Sequence, residues 1–326
     1  MLKVGLIGCG FMGRMHANVY SSLEGAELVA ACDKVPEKLA SYGQEFGCAP
    51  FDSFDDMLDS GIDVVDICLP TFEHKRYTVQ AAQAKKHVFC EKPMALTVAD
   101  CDEMIAQCNL ADVYLMIGHC IRFWPEYVML KEAIDDKRFG ELLSVNLTRY
   151  GQFPSWSTDN WLADESKAGG GVLDMHIHDT DFAHFILGEP DELVSFGTID
   201  KTGPAQVFST LQFGNSVVHL EGGWNLPHHT PFKMAFRAIF EDGAMIMDGG
   251  PLQVFQNGKE PTTPEFPKMS AAGGGNISDL GGYYHELKYF VDRVTSGQPL
   301  ETVTPQSSRQ SVETTLREIA MIKARN

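Results

Sequence analysis

The chain has 326 residues, 44% of them hydrophobic, and its 44 acidic side chains outnumber 26 basic ones for a net charge of −18. That length predicts two domains, each large enough for its own core. The acidic surplus excludes nucleic acid and anionic membrane surfaces, which need basic stripes; no apolar run approaches the ~20 residues of a membrane span. The first strand begins at residue 2, which leaves no room for a signal peptide, so a cytoplasmic location is expected. All eight cysteines fall between Cys9 and Cys120 without C-x-x-C or zinc-like spacing, which predicts reduced structural thiols.

Leu2–Ile7 is an apolar strand that runs into Gly8-Cys9-Gly10-Phe11-Met12-Gly13, and a helix pattern follows over Phe11–Ser22. This is the G-x-G-x-x-G of a dinucleotide-binding turn. Gly8 permits the tight turn, Gly10 lets a pyrophosphate approach the backbone, and Gly13 lets helix and strand pack closely. The helix start holds the anion. A second strand, Ala26–Cys32, ends at Asp33, twenty residues beyond Gly13. An acid there accepts hydrogen bonds from ribose hydroxyls and repels a 2′-phosphate, so NAD is favoured over NADP. The adjacent Lys34 partly offsets that preference.

Strands are further predicted at Val64–Leu69, Val88–Cys90 and Val113–Ile117, with helices at Pro36–Phe46, Phe54–Asp59, Glu73–Ala84 and Thr97–Cys108. Ser53 and Asp100 suit helix caps. The alternation predicts an α/β Rossmann domain over 1–120, a doubly wound parallel sheet. Ligands bind outside the carboxyl ends of such strands. That edge carries Leu69-Pro70-Thr71-Phe72-Glu73-His74, Glu91-Lys92-Pro93 and His119-Cys120-Ile121-Arg122. Lys92 is aimed at the cofactor crevice and suits hydrogen bonding or proton transfer at a substrate oxygen. A solvated lysine before a turn is the bland alternative.

After Arg122 the pattern changes. A helix at Pro125–Lys137, a strand at Glu141–Tyr150 and a helix at Gly171–Leu187 precede six strand-like runs between Leu193 and Phe255, with Gly214-Asn215 and Asp242-Gly243 as turns. This predicts an α+β domain over 121–326 with a large, open, mostly antiparallel sheet. Its unused face predicts a homo-oligomer, a dimer or tetramer. A Gly- and Pro-rich loop at 257–282 precedes helices at Tyr283–Thr295 and Pro305–Ala324; the last of these is allowed to pack back on the first domain.

Within Gly169-Gly170-Gly171-Val172-Leu173-Asp174-Met175-His176-Ile177-His178, Asp174 and His178 stand i, i+4 on a helix, ~6 Å apart along its axis. Asp181 falls on nearly the same side. A histidine beside a carboxylate is suited to taking a proton from an alcohol, although a core histidine on a capped helix is the simpler reading. A metal bound by Asp174, His176 and His178 is disfavoured, because His176 points ~200° round the helix from Asp174; no metal is expected. Trp156, Trp161, Tyr283 and His285 are weaker candidates for lining a sugar site.

In order and spacing, Gly8-x-Gly10-x-x-Gly13, Glu91-Lys92-Pro93 and the run from Gly171 to Asp181 resemble the glucose–fructose oxidoreductase, inositol dehydrogenase and rhizopine-catabolism family. The resemblance implies a nicotinamide cofactor and a catalytic set of Lys92, Asp174 and His178. It also implies that Glu91 and His74 approach the cofactor. The cofactor set so expected is Gly8, Gly10, Phe11, Met12, Gly13, Asp33, Lys34, Leu69, Pro70, Thr71, His74, Glu91 and Lys92. The substrate set is Lys92, His119, Arg122, Trp161, Asp174, His178 and Tyr283, facing a polyol, sugar or glycoside. The segment from His119 to Trp124 departs from the arginine-rich form of some inositol dehydrogenases, which leaves the sugar open. Two alternatives stand: a redox-neutral sugar-modifying enzyme that recycles bound NAD, and a non-catalytic NAD-binding protein.

Overall fold

The computed structural model describes residues 1–155, 157–267 and 281–325. In chain order these form β1 (Leu2–Ile7), α1 (Phe11–Tyr20), β2 (Ala26–Cys32), α2 (Pro36–Phe46), β3 (Ala49–Phe51), α3 (Phe54–Asp59), β4 (Val64–Ile67), α4 (Thr71–Gln83), β5 (His87–Glu91), α5 (Val98–Ala111) and β6 (Leu115–Gly118). Then come α6 (Pro125–Asp135), β7 (Leu142–Gln152), α7 (Glu165–Ala168), a π-helical turn (Val172–His176) and α8 (Ile177–Leu187). Six strands follow: β8 (Glu192–Asp200), β9 (Gly203–Phe213), β10 (Ser216–Leu226), β11 (Lys233–Phe240), β12 (Gly243–Asp248) and β13 (Gln253–Gln256). The helices α9 (Gly281–Ser296) and α10 (Pro305–Lys323) complete the chain. Two compact units result: Met1–Phe123 with the described part of 268–309, and Trp124–Pro267 with the described part of 310–326. Trp156 and residues 268–280 of the expected 257–282 loop lie outside the described residues.

The first unit is a six-stranded sheet in the order β3-β2-β1-β4-β5-β6, every pair parallel. Chain order reverses between β1 and β4, the topological switch point of a doubly wound fold. Val4, Leu6, Val64, Val65, Val88 and Phe89 are buried, as strands covered on both faces require. β3 escapes the periodicity reading because it is three residues long and carries Pro50, which an edge strand tolerates. Ser53 caps α3, accepting from the Asp56 amide. The cap of α5 is Thr97 rather than Asp100: Thr97 accepts from the Asp100 amide, and its hydroxyl donates back to the Asp100 carboxylate.

The second unit is a seven-stranded sheet in the order β13-β12-β11-β7-β10-β9-β8. Only β7 and β10 pair in parallel; the other neighbours are antiparallel. The hairpin β9–β10 turns at Gly214-Asn215, with Gly214 at a φ of 56°. Side chains alternate as a half-covered sheet demands. Val207, Ser209 and Leu211 of β9 are buried, while Phe208 remains partly exposed. The inner face packs edge-to-face aromatics, with Tyr127 of α6 4.8 Å from Phe182 of α8 and 5.1 Å from Phe236 of β11. Val194, Phe196, Phe208 and Leu143 leave the opposite face apolar and exposed.

Candidate active site

The glycine turn has the geometry that its spacing demands. Gly8 sits at a φ of 100°, and a Cβ there would meet the Cys68 carbonyl at 2.4 Å. A Cβ on Gly13 would stand 2.1 Å from the Gly8 carbonyl, whereas one on Gly10 would meet nothing within 4 Å. The turn thus tolerates no side chain at its two packed glycines and leaves open space at the third. No side chain caps α1, so its first amides are available to an anion. This cradle fits a dinucleotide pyrophosphate. Asp33 does more than end β2: its carboxylate accepts from the Cys9 amide at 2.8 Å and from the Val35 amide at 2.9 Å. It therefore clamps the turn, and each oxygen keeps a further acceptor position for a ribose hydroxyl. Phe11 and Lys34 are exposed, and Met12 packs partly into the core beside them.

The second strand-end cluster divides. Lys92 is half-buried after β5, in a cis Lys92–Pro93 peptide, and Leu69 and Pro70 are half-buried after β4. Thr71, His74, Glu91, His119 and Arg122 are instead buried by protein atoms. His74 is turned inward: Nδ1 meets the Pro93 carbonyl and Nε2 the Leu69 carbonyl, both at 2.8 Å. Burial lowers its pKa. A neutral ring has one N–H to donate, so one of these two carbonyls is bonded at a time, and the ring sits between the loop after β4 and the loop after β5. Arg122 Nη1 donates to the Thr302 carbonyl at 2.7 Å and to Ser307 Oγ at 3.2 Å within the first unit. Its charge anchors the returning chain. The His119 side chain is wholly enclosed as well.

Beneath the glycine turn lies a charged cluster that the sequence reading missed. His16 of α1 is fully buried, with Nδ1 2.9 Å from Asp66 and Nε2 3.1 Å from Glu91. Burial opposes its charge, but the Asp66 carboxylate outweighs this and raises its pKa well above the usual value. Glu91 accepts at Oε2 from the Lys92 amide at 3.0 Å. Burial pushes Glu91 up, but His16 and Lys92 hold it below the usual carboxylate range. Tyr283 stands partly exposed with its ring 6.5 Å from His16, and His285 faces solvent.

In the second unit Asp174 lies on the π-helical turn and His178 in the first turn of α8, both half-buried. The uniform α-helix expected from Gly171 is thus corrected to a π turn leading into an α-helix, an irregularity common at functional sites. His176 points inward, as its helical phase predicts: Nε2 donates to Glu318 at 3.1 Å. Asp181 is corrected from the His178 side to the core, where it accepts from Ser311 Oγ at 2.7 Å. Asp179 forms a buried ion pair with Arg149 of β7 at 3.2 Å. The π turn itself packs tightly, since a Cβ on Gly171 would meet the Ala205 carbonyl at 2.8 Å and the Trp224 ring at 3.0 Å. Trp161 is half-exposed and packs against Leu162, Ala168 and Trp224. The preceding Asp159 and Asn160 adopt left-handed φ values of 56° and 49°. Among the described residues, Asp174, His176 and His178 do not form a metal-holding group.

Comparisons with known proteins agree with this architecture. Residues 2–119 match the oxidoreductase family with an NAD-binding Rossmann fold, and residues 127–246 match the GFO/IDH/MocA C-terminal domain. The chain is 35% identical over 316 residues to myo-inositol 2-dehydrogenase of Thermotoga maritima, covering 91% of this chain and 90% of that protein. It is 31% identical over 241 residues to 2,7-anhydro-N-acetylneuraminate hydratase of Escherichia coli, covering 70% of this chain but only 64% of the relative's length. A solved oxidoreductase from Agrobacterium radiobacter in complex with NAD+, L-tartaric acid and magnesium shares the fold at a TM-score of 0.86 and 23% identity, over 98% of this chain and 96% of that one. Within the described residues no helix is long and apolar enough to cross a membrane. The chain belongs to the GFO/IDH/MocA family and is an NAD-dependent oxidoreductase.

Proposed function

We propose that the protein oxidises a secondary hydroxyl of a cyclic polyol, sugar or glycoside, with Lys92, Asp174 and His178 handling the proton. The observation that carries this reading is that these three are only half-buried among fully buried neighbours. His74, Glu91, His119 and Arg122 are buried beside Lys92, and His176, Asp179 and Asp181 beside Asp174 and His178. His178 takes the hydroxyl proton, and Asp174 orients the ring or the hydroxyl. Lys92 donates a hydrogen bond to the same oxygen as it gains carbonyl character. NAD, when bound, supplies the hydride acceptor. Trp161 and Tyr283 offer partly exposed aromatic faces that suit sugar C–H surfaces.

The relatives support the substrate class: one is an inositol dehydrogenase over nearly the whole chain. A second reading, in which NAD is recycled without net oxidation, is supported by relatives that are hydratases of an anhydro sugar. All eight cysteines are free thiols, which fits a reducing, cytoplasmic setting. The apolar sheet face around Val194, Phe196 and Phe208 supports a dimer or tetramer.

The test is absorbance of reduced cofactor with NAD and, separately, NADP, against inositols, aldoses and glycosides. One substrate group should respond with NAD. Lys92→Ala and His178→Ala should each abolish turnover while NAD affinity stays within about twofold, because neither residue belongs to the pyrophosphate cradle. Normal turnover in either variant refutes the assignment. Product without NADH, with NAD retained by the purified protein, selects the recycling reading.

A further inference from the structure

The buried cluster beneath the glycine turn holds a group that the proposed reaction does not use. Glu286 of α9 is fully buried, yet neither carboxyl oxygen has a hydrogen-bond partner. One of its oxygens, one oxygen of Glu91 and a ring nitrogen of His16 all lie within 4.8 Å of one another. Several elements supply the groups around it, including the turn Cys120–Phe123, whose Cys120 lies against Tyr283 and whose Arg122 donates to Thr302 and Ser307. His16 and Tyr20 belong to α1, Asp66 to β4, Glu91 to β5 and Tyr283 to α9 itself. His16 is committed at both nitrogens, to Asp66 and to Glu91. One imidazolium thus faces two carboxylates, and a third negative charge would have no counterion in a space that water does not reach.

We infer that Glu286 is a neutral, proton-bearing positioning residue, seated behind Glu91, whose proton keeps the Glu91 carboxylate on the Lys92 amide. The inference rests on Lys92 being the catalytic lysine. Glu91 Oε1 packs over Gly118 of β6, where an added Cβ would stand 3.1 Å from it. Its Oε2 accepts from the Lys92 amide. Charge on Glu286 therefore acts on Glu91 and, through that bond, on the backbone that carries the lysine. Burial, with Glu91 and Asp66 nearby, also favours the protonated form of Glu286. His16 is a poor metal ligand in this arrangement, because both of its nitrogens donate to carboxylates.

Two measurements on the full chain test this, and neither depends on turnover. The first is infrared spectroscopy of the wild type and Glu286→Gln at pH 8, looking for the carbonyl stretch of a neutral buried carboxyl. The band should be present in the wild type and missing in Glu286→Gln. No such band in the wild type, or a stoichiometric divalent metal in the purified protein, overturns the inference. If Glu286→Gln fails to fold, Glu286→Asp replaces it, and a band that keeps the wild-type frequency in Glu286→Asp overturns the assignment, since Asp179 is a second buried carboxyl whose pKa burial raises. The second is competitive acylation of Lys92, read by mass spectrometry as a function of pH. In the wild type, labelling should fall at least threefold below a single titration curve where the infrared band is lost, because a new negative charge raises the proton affinity of the amine. Glu286→Gln should follow a single curve. Single curves in both proteins overturn the positioning role. Failure of Lys92→Ala to abolish turnover would refute its catalytic role without touching either readout.

Discussion

Replacing Glu318 by alanine tests whether the π turn is held from behind. Glu318 lies on α10 within the second unit, fully buried. Its Oε1 accepts from His176 Nε2 at 3.1 Å and its Oε2 from Thr180 Oγ1 at 3.0 Å. His176 cannot swing away to seek another partner, because its ring abuts β10: a Cβ on Gly222 would stand 2.5 Å from Nδ1. Truncation thus strands two buried donors at about 1–3 kcal/mol each, or about 2–6 kcal/mol together. For a unit of this size each kcal/mol is worth about 2–4 °C, so the melting temperature should fall by about 4 °C or more. Glu318→Gln keeps the volume and one acceptor, and should lose about half as much. Asp174 shares the π turn with His176, so the loss should also reach catalysis. A displacement of about 1 Å at a reacting group costs up to about a hundredfold in rate; kcat/KM should therefore drop about tenfold or more while NAD affinity holds. Thermal unfolding by circular dichroism, with steady-state kinetics, measures both. A Glu318→Ala protein that melts with the wild type and turns over normally refutes the argument.

Three further outcomes follow from the first unit. Gly13→Ala places a methyl 2.1 Å from the Gly8 carbonyl, so NAD binding by fluorescence titration should be lost or weakened at least about tenfold; unchanged affinity would contradict the packed turn. Asp33→Ala removes the acceptor of the Cys9 amide and should weaken NAD by about 1.5–3 kcal/mol, more than NADP, so the preference for NAD narrows. Glu91 has a pKa lowered from 4.5 in the folded state. Its contribution to stability is therefore present above the unfolded value and is lost as pH falls through the folded one. Denaturant midpoints measured across the acid range should fall more steeply in the wild type than in Glu91→Gln, and parallel slopes would contradict the His16–Glu91 pairing.

The elements legible in the sequence are those whose meaning is local. The glycine turn, Asp33 at the end of β2 and Lys92 after β5 are each defined within a few residues by steric need or by the strand edge that they occupy. The sheet of the second unit was legible for the same reason, since alternation along each strand reports a half-covered face. What was not legible depends on distant partners. Arg122 looked available at a ligand-binding edge because its acceptors, Thr302 and Ser307, lie 180 and 185 residues on. His16 read as one more residue of the packed face of α1; Asp66 and Glu91, 50 and 75 residues away, reveal its charge. The π turn was hidden because it spans only five residues, Val172–His176, too few for a change of period to show in the pattern of side chains.

This division has a physical cause. A reacting group must meet a small molecule at a defined place, and short motifs at strand ends or helix starts supply that place. Holding the group there requires satisfying buried charge, and any element that packs behind it can do so. Glu318 reaches the π turn from α10, and Glu286 reaches Glu91 from α9, 142 residues beyond His176 and 270 beyond His16 respectively. Such supports carry no pattern in their own neighbourhood, since each is a single acid on the inner face of an amphipathic helix. They do carry a thermodynamic signature, because an acid buried without reason would cost several kcal/mol and be replaced without loss by an apolar residue. The buried acids of α9 and α10 should therefore respond to substitution more strongly than any exposed acid of this highly anionic chain. Their effects should also separate by unit, Glu318 acting on Asp174 and His178 and Glu286 acting on Lys92.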